Sequence, residues 1–376
     1  VSDLSLCGSV NRFVTGWDDQ PQRPRRAQQP TMKILWVSPH GDGWSLGHKL
    51  REAGHKVVLY NPANKNGAGY LPQATDATWY DLAQKSDLLV CDGTPDSAWT
   101  RRSVEASDLV RQLAQLKHEG VPYTGPLPTT ELLENDPRYL AKHVARLAIP
   151  MKMPGAITSP ITSELRCVLT LSPAGEVYLV WRERNLWGNG NGPEIGNLAD
   201  LVLPIQPDCE IVKQLKGLIE FLGSIGINTY TNVAVTLTDT RLEVERVSCR
   251  FIYPAIFCQF PDLLSAAGNV SDGQHDSIRL AVSLLRFDEH SPAGAEGLTN
   301  EAGFFGGEIH LDPEAGERSH GLFVGALVGS GPSLGVVRDK VDRHLESIKR
   351  PGWGFLPFGF NQFSHDMDLL IKKGWL

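Results

Sequence analysis

Lys33-Ile-Leu-Trp-Val37, the turn Ser38-Pro-His-Gly-Asp-Gly43 and the segment Trp44–Gly54 decide how this chain begins to fold. Five apolar-rich residues in a row have the length of a buried strand. The segment after the turn places Leu46, Leu50 and Ala53 on one helical face, and Gly54 supplies a C-terminal stop. The same alternation continues outward. Lys56–Tyr60 reads as a second strand and Asp87–Cys91 as a third. A helix over Val104–Glu119, apolar at Leu109, Val110, Leu113 and Leu116, then leads to a strand at Val121–Thr124. Strand, helix and strand in turn predict a parallel sheet with right-handed crossovers, a Rossmann-like α/β unit.

Composition bounds the rest. A chain of 376 residues, 41% hydrophobic and 21% charged, has room for two or three domains, each with its own core. The net charge of −7 gives no footprint for nucleic acid, and no apolar run approaches the roughly 18 residues that cross a bilayer. Residues 1–31 are polar, with a basic cluster at Gln20–Arg26, and read as a flexible extension before a fold that starts at Met32. The six cysteines are scattered with no C-x-x-C pair, which predicts buried free thiols, no metal site and a cytoplasmic setting.

Beyond Gly125 the pattern changes. Helices are expected at Thr129–Asn135 and Arg138–Ala148, and a hairpin at Arg166–Leu171 and Glu176–Trp181. A Gly/Asn-rich loop, Trp187–Asn197, precedes a helix at Cys209–Leu222 and a strand pair at Thr229–Leu237 and Leu242–Val247. The last segment reads as a helix at Ser277–Leu285, a strand at Leu322–Val328 and a helix at Leu334–Ile348.

Four stretches carry candidate chemistry. Gly43-Trp-Ser-Leu-Gly47 fits G-x-S-x-G, but Ser45 falls inside the first helical turn rather than at the strand's end, so a helix-start serine is the plainer reading. Gly41, Asp42 and Gly43 form a turn whose backbone can approach a ligand, with a helix N-terminus behind it that favours an anion. The register is not that of a dinucleotide fingerprint, and Tyr60-Asn61 stands where a ribose-binding acid belongs. The loop holding Gly188, Asn189, Asn191 and Gly196 is rich enough in glycine to present amide donors. Arg250, at the end of a strand, suits a phosphate or a carboxylate.

In chain order these segments resemble the glycinamide ribonucleotide synthetase (phosphoribosylamine–glycine ligase) family of ATP-grasp enzymes in purine synthesis. The strand at Met32 with Gly41-Asp-Gly43 is similar to that family's first strand and G-G-R-E-H turn. Gly125-Pro126, Leu133–Lys142 and Ile149-Pro150 resemble its G-P…L-E-x-S-K…I-P-T passage. Gly188–Asn197 resembles G-D-G-D-T-G-P-N-T-G-G, Ser248-Cys-Arg-Phe251 resembles N-C-R-F, and Lys373-Gly-Trp375 resembles the family's ending. The resemblance implies ATP and Mg²⁺ as cofactors.

The departures fall on those cofactors. No segment like I-K-A-D-G-x-A-x-G-K-G is present, and only Met151–Leu165 separates Pro150 from the hairpin, so the ATP-lid subdomain is expected to be missing. Asn189 and Asn191 replace the aspartates of G-D-G-D. Arg246 and Ser248 replace the acidic and amide metal positions of E-F-N-C-R-F, with Glu245 as a partial substitute. Losing carboxylates removes the charge partners of a metal. The expected architecture is an extension at 1–31, a Rossmann-like N-domain at 32–125, a reduced ATP-grasp core at 126–265 and a small C-terminal α/β subdomain at 266–376.

The expected function is binding or assembly with ordinary ligase activity lost. The ligand would be a small phosphorylated or amino-acid-like molecule, held by Gly41, Asp42, Gly43, Gly125, Pro126, Gly188, Asn189, Asn191, Gly196 and Arg250. Two alternatives are an active ATP-dependent C–N ligase and a structural module that docks a protein partner, or a second copy, through the Trp and Phe residues of Pro351–Phe363.

Overall fold

The computed structural model describes residues 31–93, 107–152, 165–172, 176–186, 194–225, 229–239, 241–259, 277–286, 294–295, 297–298, 303–319, 323–348, 350–354 and 360–376. The first unit is a four-stranded parallel sheet of β1 (Lys33–Val37), β2 (Lys56–Tyr60), β3 (Leu88–Cys91) and β4 (Tyr123–Thr124), in the order β2-β1-β3-β4. Both faces of β1 are covered, which is why its sequence is continuously apolar instead of alternating. Leu35 and Val37 pack with Trp79 and Ala83 of helix α2 (Trp79–Gln84) and Leu113 and Leu116 of helix α3 (Asp108–His118). Ile34 and Trp36 face the other way, toward Leu46 and Leu50 of helix α1 (Trp44–Glu52). The start of α3 is fixed by Ser107, whose side chain accepts from the Val110 amide. Val104, where the sequence pattern starts this helix, lies outside the described residues.

Helices α4 (Pro128–Asn135) and α5 (Pro137–Arg146) lead to the second unit, and Asp136 caps α5 by accepting from the amides of Arg138 and Tyr139. That unit is one antiparallel sheet. Its strands are β5 (Leu165–Leu171), β6 (Val177–Leu186), β7 (Glu194–Pro204), β8 (Thr231–Leu237), β9 (Leu242–Ser248), β10 (Ile278–Arg286), β11 (Phe304–Gly306), β14 (Phe323–Gly331) and β15 (Trp353–Gly354). They run β11-β14-β10-β7-β6-β5-β8-β9, with β15 also on β10. The sheet therefore draws strands from both sides of residue 265. A separate hairpin is made of β12 (Ile309–Asp312) and β13 (Gly316–Ser319). Helix α6 (Glu210–Ser224) buries Ile211, Leu215, Leu218 and Leu222, one apolar stripe at helical spacing, in the core that holds Cys167, Val233, Val235 and Val244. Short α7 (Ala255–Cys258) lies on the opposite face with Tyr178, Val180 and Val202. Helices α8 (Leu334–Ile348) and α9 (Phe360–Lys372) complete the fold.

Ser277–Leu285, expected as a helix, is a correction: it is β10, paired with β7 on one side and β14 on the other. Leu280, Ala281, Val282, Ser283 and Leu284 are all buried, and a run covered on both faces carries no period of two to distinguish it from a helix. The loop expected over Trp187–Asn197 is shorter at its far end, because Glu194–Asn197 already belong to β7. A docking surface in Pro351–Phe363 gains nothing from Trp353 and Phe363, which are both buried; Phe355 and Phe358 lie outside the described residues. No helix of the described residues is long and apolar enough to cross a membrane. The five described cysteines are free, and four of them are buried, as the scattered spacing predicted.

Candidate functional site

In the parallel sheet the chain moves from β1 outward to β2 on one side and to β3 on the other. Open sheets of this kind place ligands at that switch point, beyond the C-terminal strand ends. Here those ends are Ser38 and Asp92, and the chain's own residues fill the crevice. Asp92 is buried, and its Oδ2 accepts from three donors: the Ser38 hydroxyl at 2.6 Å, the Trp36 indole N–H at 3.2 Å and the Tyr253 hydroxyl at 3.2 Å. Burial nevertheless pushes the Asp92 carboxyl up to about 6, against the pull of those three hydrogen bonds. Tyr253 is raised well above its ordinary range, by burial first and the Asp92 charge second. The Asp92 carbonyl also accepts from the Phe251 amide at 2.9 Å, so the segment after β9 is tied directly to β3.

The turn Gly41–Gly43 is wrapped from both sides. Gly41 sits at φ +73°, and a Cβ there would collide with the side chains of Asn61 and Asn64. Asn64 donates to the His40 carbonyl at 2.7 Å and Asn66 to the Gly41 carbonyl at 3.1 Å. At Gly43 a Cβ would collide with Asp92 Oδ2 and come within 2.6 Å of the Tyr253 hydroxyl and 2.7 Å of the Trp36 indole nitrogen. Glycine at both positions is thus required by packing inside the fold. Ser45 is buried in the first turn of α1, away from any strand end, and its G-x-S-x-G match is a helix start.

Asp42 is half-buried, and its carboxyl is raised to about 7 by burial and by the charges of Asp92 and Glu308. The sign of the consequence is fixed by linkage. A carboxyl with a raised folded pKa contributes stability that is fully present below its unfolded value, near 4, and is lost as pH rises through about 7. Asp42→Asn is therefore expected to unfold at a higher temperature than the parent at pH 8. The gain is on the order of 1–2 kcal/mol once partial exposure is allowed for, and it shrinks toward zero near pH 4.5. Melting curves of the two proteins at both pH values check this; an equal difference at both would contradict it.

Gly125 and Pro126 lie at the end of β4. The Tyr123 hydroxyl donates to the Pro126 carbonyl at 2.7 Å, and a Cβ on Gly125 would meet Cys91 Cβ at 2.8 Å. Tyr123 has Cys91, Cys249 and Glu131 as electrostatic neighbours, which places Gly125 beside the segment that carries Arg250. Arg250 itself meets Glu134 of α4, with Nε 2.6 Å from Oε1. The same carboxylate oxygen accepts from Arg246 Nη2 at 2.6 Å. One buried carboxylate thus joins two guanidinium groups; Arg250 meets it as an ion pair without hydrogen-bond geometry, and its Nε and Nη2 are buried with no hydrogen-bond partner among the described residues. Sequence reasoning named Arg250 but missed Glu134, Asp92 and Tyr253. Glu134 lies within Leu133–Lys142, and only the fold shows that it faces two cations.

Gly43, through Asp92 and Tyr253, and Gly125, through Tyr123 and its neighbour Cys249, thus both adjoin the segment that carries Arg250, while Gly41 is packed against Asn61 and Asn64 of its own unit. The structure does not bring Gly196 to that segment. In the sheet register Thr170, Asn232 and Ser248 mark the end near Arg250, whereas β6 and β7 run on past Arg184 and Asn197 to Leu186 and Glu194 at the far end. Gly188, Asn189 and Asn191 lie outside the described residues.

Magnesium does not fit the residues at the metal positions of the resembled family. Arg246 brings a positive charge, and Ser248 is a buried hydroxyl opposite Asn232. Glu245 accepts a hydrogen bond from the Thr236 hydroxyl. Among the described residues no group of three His, Cys, Asp or Glu side chains is arranged to hold a metal ion.

The chain is an α/β protein whose Rossmann-like parallel sheet is followed by an antiparallel sheet of the ATP-grasp fold. Solved structures share that fold. Phosphoribosylamine–glycine ligase from Thermotoga maritima superposes with a TM-score of 0.58 at 12% identity, over 86% of this chain and 97% of that one. N5-carboxyaminoimidazole ribonucleotide synthetase from Thermus thermophilus gives 0.53 at 14% identity, over 86% and 99%. The phosphoribosylaminoimidazole carboxylase ATPase subunit from Aquifex aeolicus gives 0.52 at 12%, over 84% and 100%. No family model matches the sequence, and no curated protein matches it. At such identities the likeness is one of fold.

Proposed function

We propose that this chain is a binding protein on an ATP-grasp frame, taking a small phosphorylated or amino-acid-like ligand at the junction between its two units and lacking ligase turnover. The observation that carries this reading is Arg246 paired with Glu134, where the resembled family would supply a metal's carboxylate. Ligation through an acyl phosphate needs a divalent ion to neutralise the transferring phosphoryl group. A guanidinium at that position repels the ion and offers no lone pair to it. The switch-point crevice at the strand ends is closed by Asp92 hydrogen-bonded to Trp36 and Tyr253, so this reading places the ligand at the arginines and not against Gly43.

The purified chain, incubated with ATP, Mg²⁺ and glycine or another amino acid, is expected to release no ADP above a protein-free blank. Amino-acid-dependent release would favour the active-ligase reading and remove this one.

A further inference from the structure

We propose that Arg246 and Arg250, held in place by Glu134, form a phosphate site that works without a divalent metal ion. The inference rests on the binding-protein reading above and specifies its ligand and its independence of metal. Three observations carry it. First, the charges do not cancel: two guanidinium groups share one carboxylate, so the cluster keeps one net positive charge. Second, both cations use the same oxygen, Oε1, which leaves most of the ten N–H donors of the pair uncommitted. Arg250 is the sharpest case, its Nε and Nη2 both buried donors with no hydrogen-bond acceptor among the described residues. Buried donors of this kind are rarely left unmet in a finished complex. Third, the exposures are graded. The Glu134 side chain is 2% exposed, that of Arg250 21% and that of Arg246 48%. The acid is the hidden anchor, and the cations are the accessible layer in front of it.

Beside them runs a row of buried polar side chains that holds the Arg250 backbone in place. The sheet face beside Arg246 carries Thr170, Asn232 and Ser248 at adjoining register positions. Asn232 is committed on both sides, accepting from the Thr170 hydroxyl at 2.8 Å and donating to the Arg250 carbonyl at 2.7 Å, and so fixes the backbone from which Arg250 projects. A planar guanidinium offers a phosphate two parallel hydrogen bonds, and two such groups on a common anchor grip it without a bridging ion. A planar carboxylate ligand would share part of this chemistry, so the experiment includes one.

The test is calorimetric titration of sodium pyrophosphate into the full chain at neutral pH, once with EDTA and once with millimolar Mg²⁺, with glycine titrated in parallel. Binding in EDTA, no weaker than in Mg²⁺ and falling steeply with added salt, is expected, with pyrophosphate well ahead of glycine. Arg246→Ala should weaken it by about tenfold or more, as loss of a charged hydrogen bond does. Arg246→Lys, which keeps the charge but not the fork, should fall between the two and stands in if the alanine variant does not fold. Binding that appears only with Mg²⁺ would overturn this inference and leave the binding-protein reading intact. No binding in either buffer, or binding indifferent to Arg246, would overturn it too. ADP release in the ligase assay strikes the reading itself, whatever the titration shows.

Discussion

Replacing Asp92 by alanine is expected to cost about 4 kcal/mol of stability, the largest effect of any single change at the junction. Its Oδ2 is the shared acceptor of the Trp36 indole, the Ser38 hydroxyl and the Tyr253 hydroxyl, all in buried or nearly buried surroundings. Each donor left unmet costs about 1–3 kcal/mol, and a water entering the vacated space recovers part of that. The same carboxylate links Trp36 and Ser38 at the end of β1 to Tyr253 after β9, so its loss loosens the contact between the two units as well as the turn beside Gly43, although the main-chain bond from Phe251 remains. Asp92→Asn keeps the shape and an acceptor, and should lose less than half as much. Urea unfolding of the three proteins measures the difference; an alanine variant within about 1 kcal/mol of the parent would show that the three hydrogen bonds are replaceable.

Glu134→Gln ranks next, with an expected loss of about 3 kcal/mol from breaking a buried charge pair on one side. The two arginines share the consequence unequally. Arg246 is half exposed and turns to water, whereas Arg250 is mostly buried and keeps an uncompensated charge. The double variant Glu134→Gln, Arg250→Met should therefore recover most of the loss, because it removes the stranded charge along with its partner. A chemical-denaturation cycle over the four proteins tests this. Additive losses would mean that Arg250 does not depend on Glu134.

These expectations rest on residues that the sequence revealed unevenly. The three strands from Lys33 to Cys91 and the first helix were legible because they are short, apolar or amphipathic runs bounded by turns, whereas α2, only six residues long, gave no such pattern. Arg250 was legible as a charge at a strand end. Asp92 was not, since a single acid after an apolar strand looks like any loop residue until Trp36, Ser38 and Tyr253 are seen to converge on it from three elements. The Asn61, Asn64 and Asn66 bonds around the turn were hidden for the same reason: the sequence shows glycines that need space, not what occupies it. β10 was misread because Ile278–Arg286 is buried on both faces, where strand and helix share one apolar signature. Fold was easier to read than site, because a site depends on side chains that meet only after the chain has folded.

A crystal structure of the full chain grown with pyrophosphate and EDTA is the most direct test of the phosphate site. Density for the anion is expected against Arg246 and Arg250, with Glu134 still behind them. Density bound instead at the Gly41–Gly43 turn, or a requirement for a divalent ion held by Glu245, would contradict it.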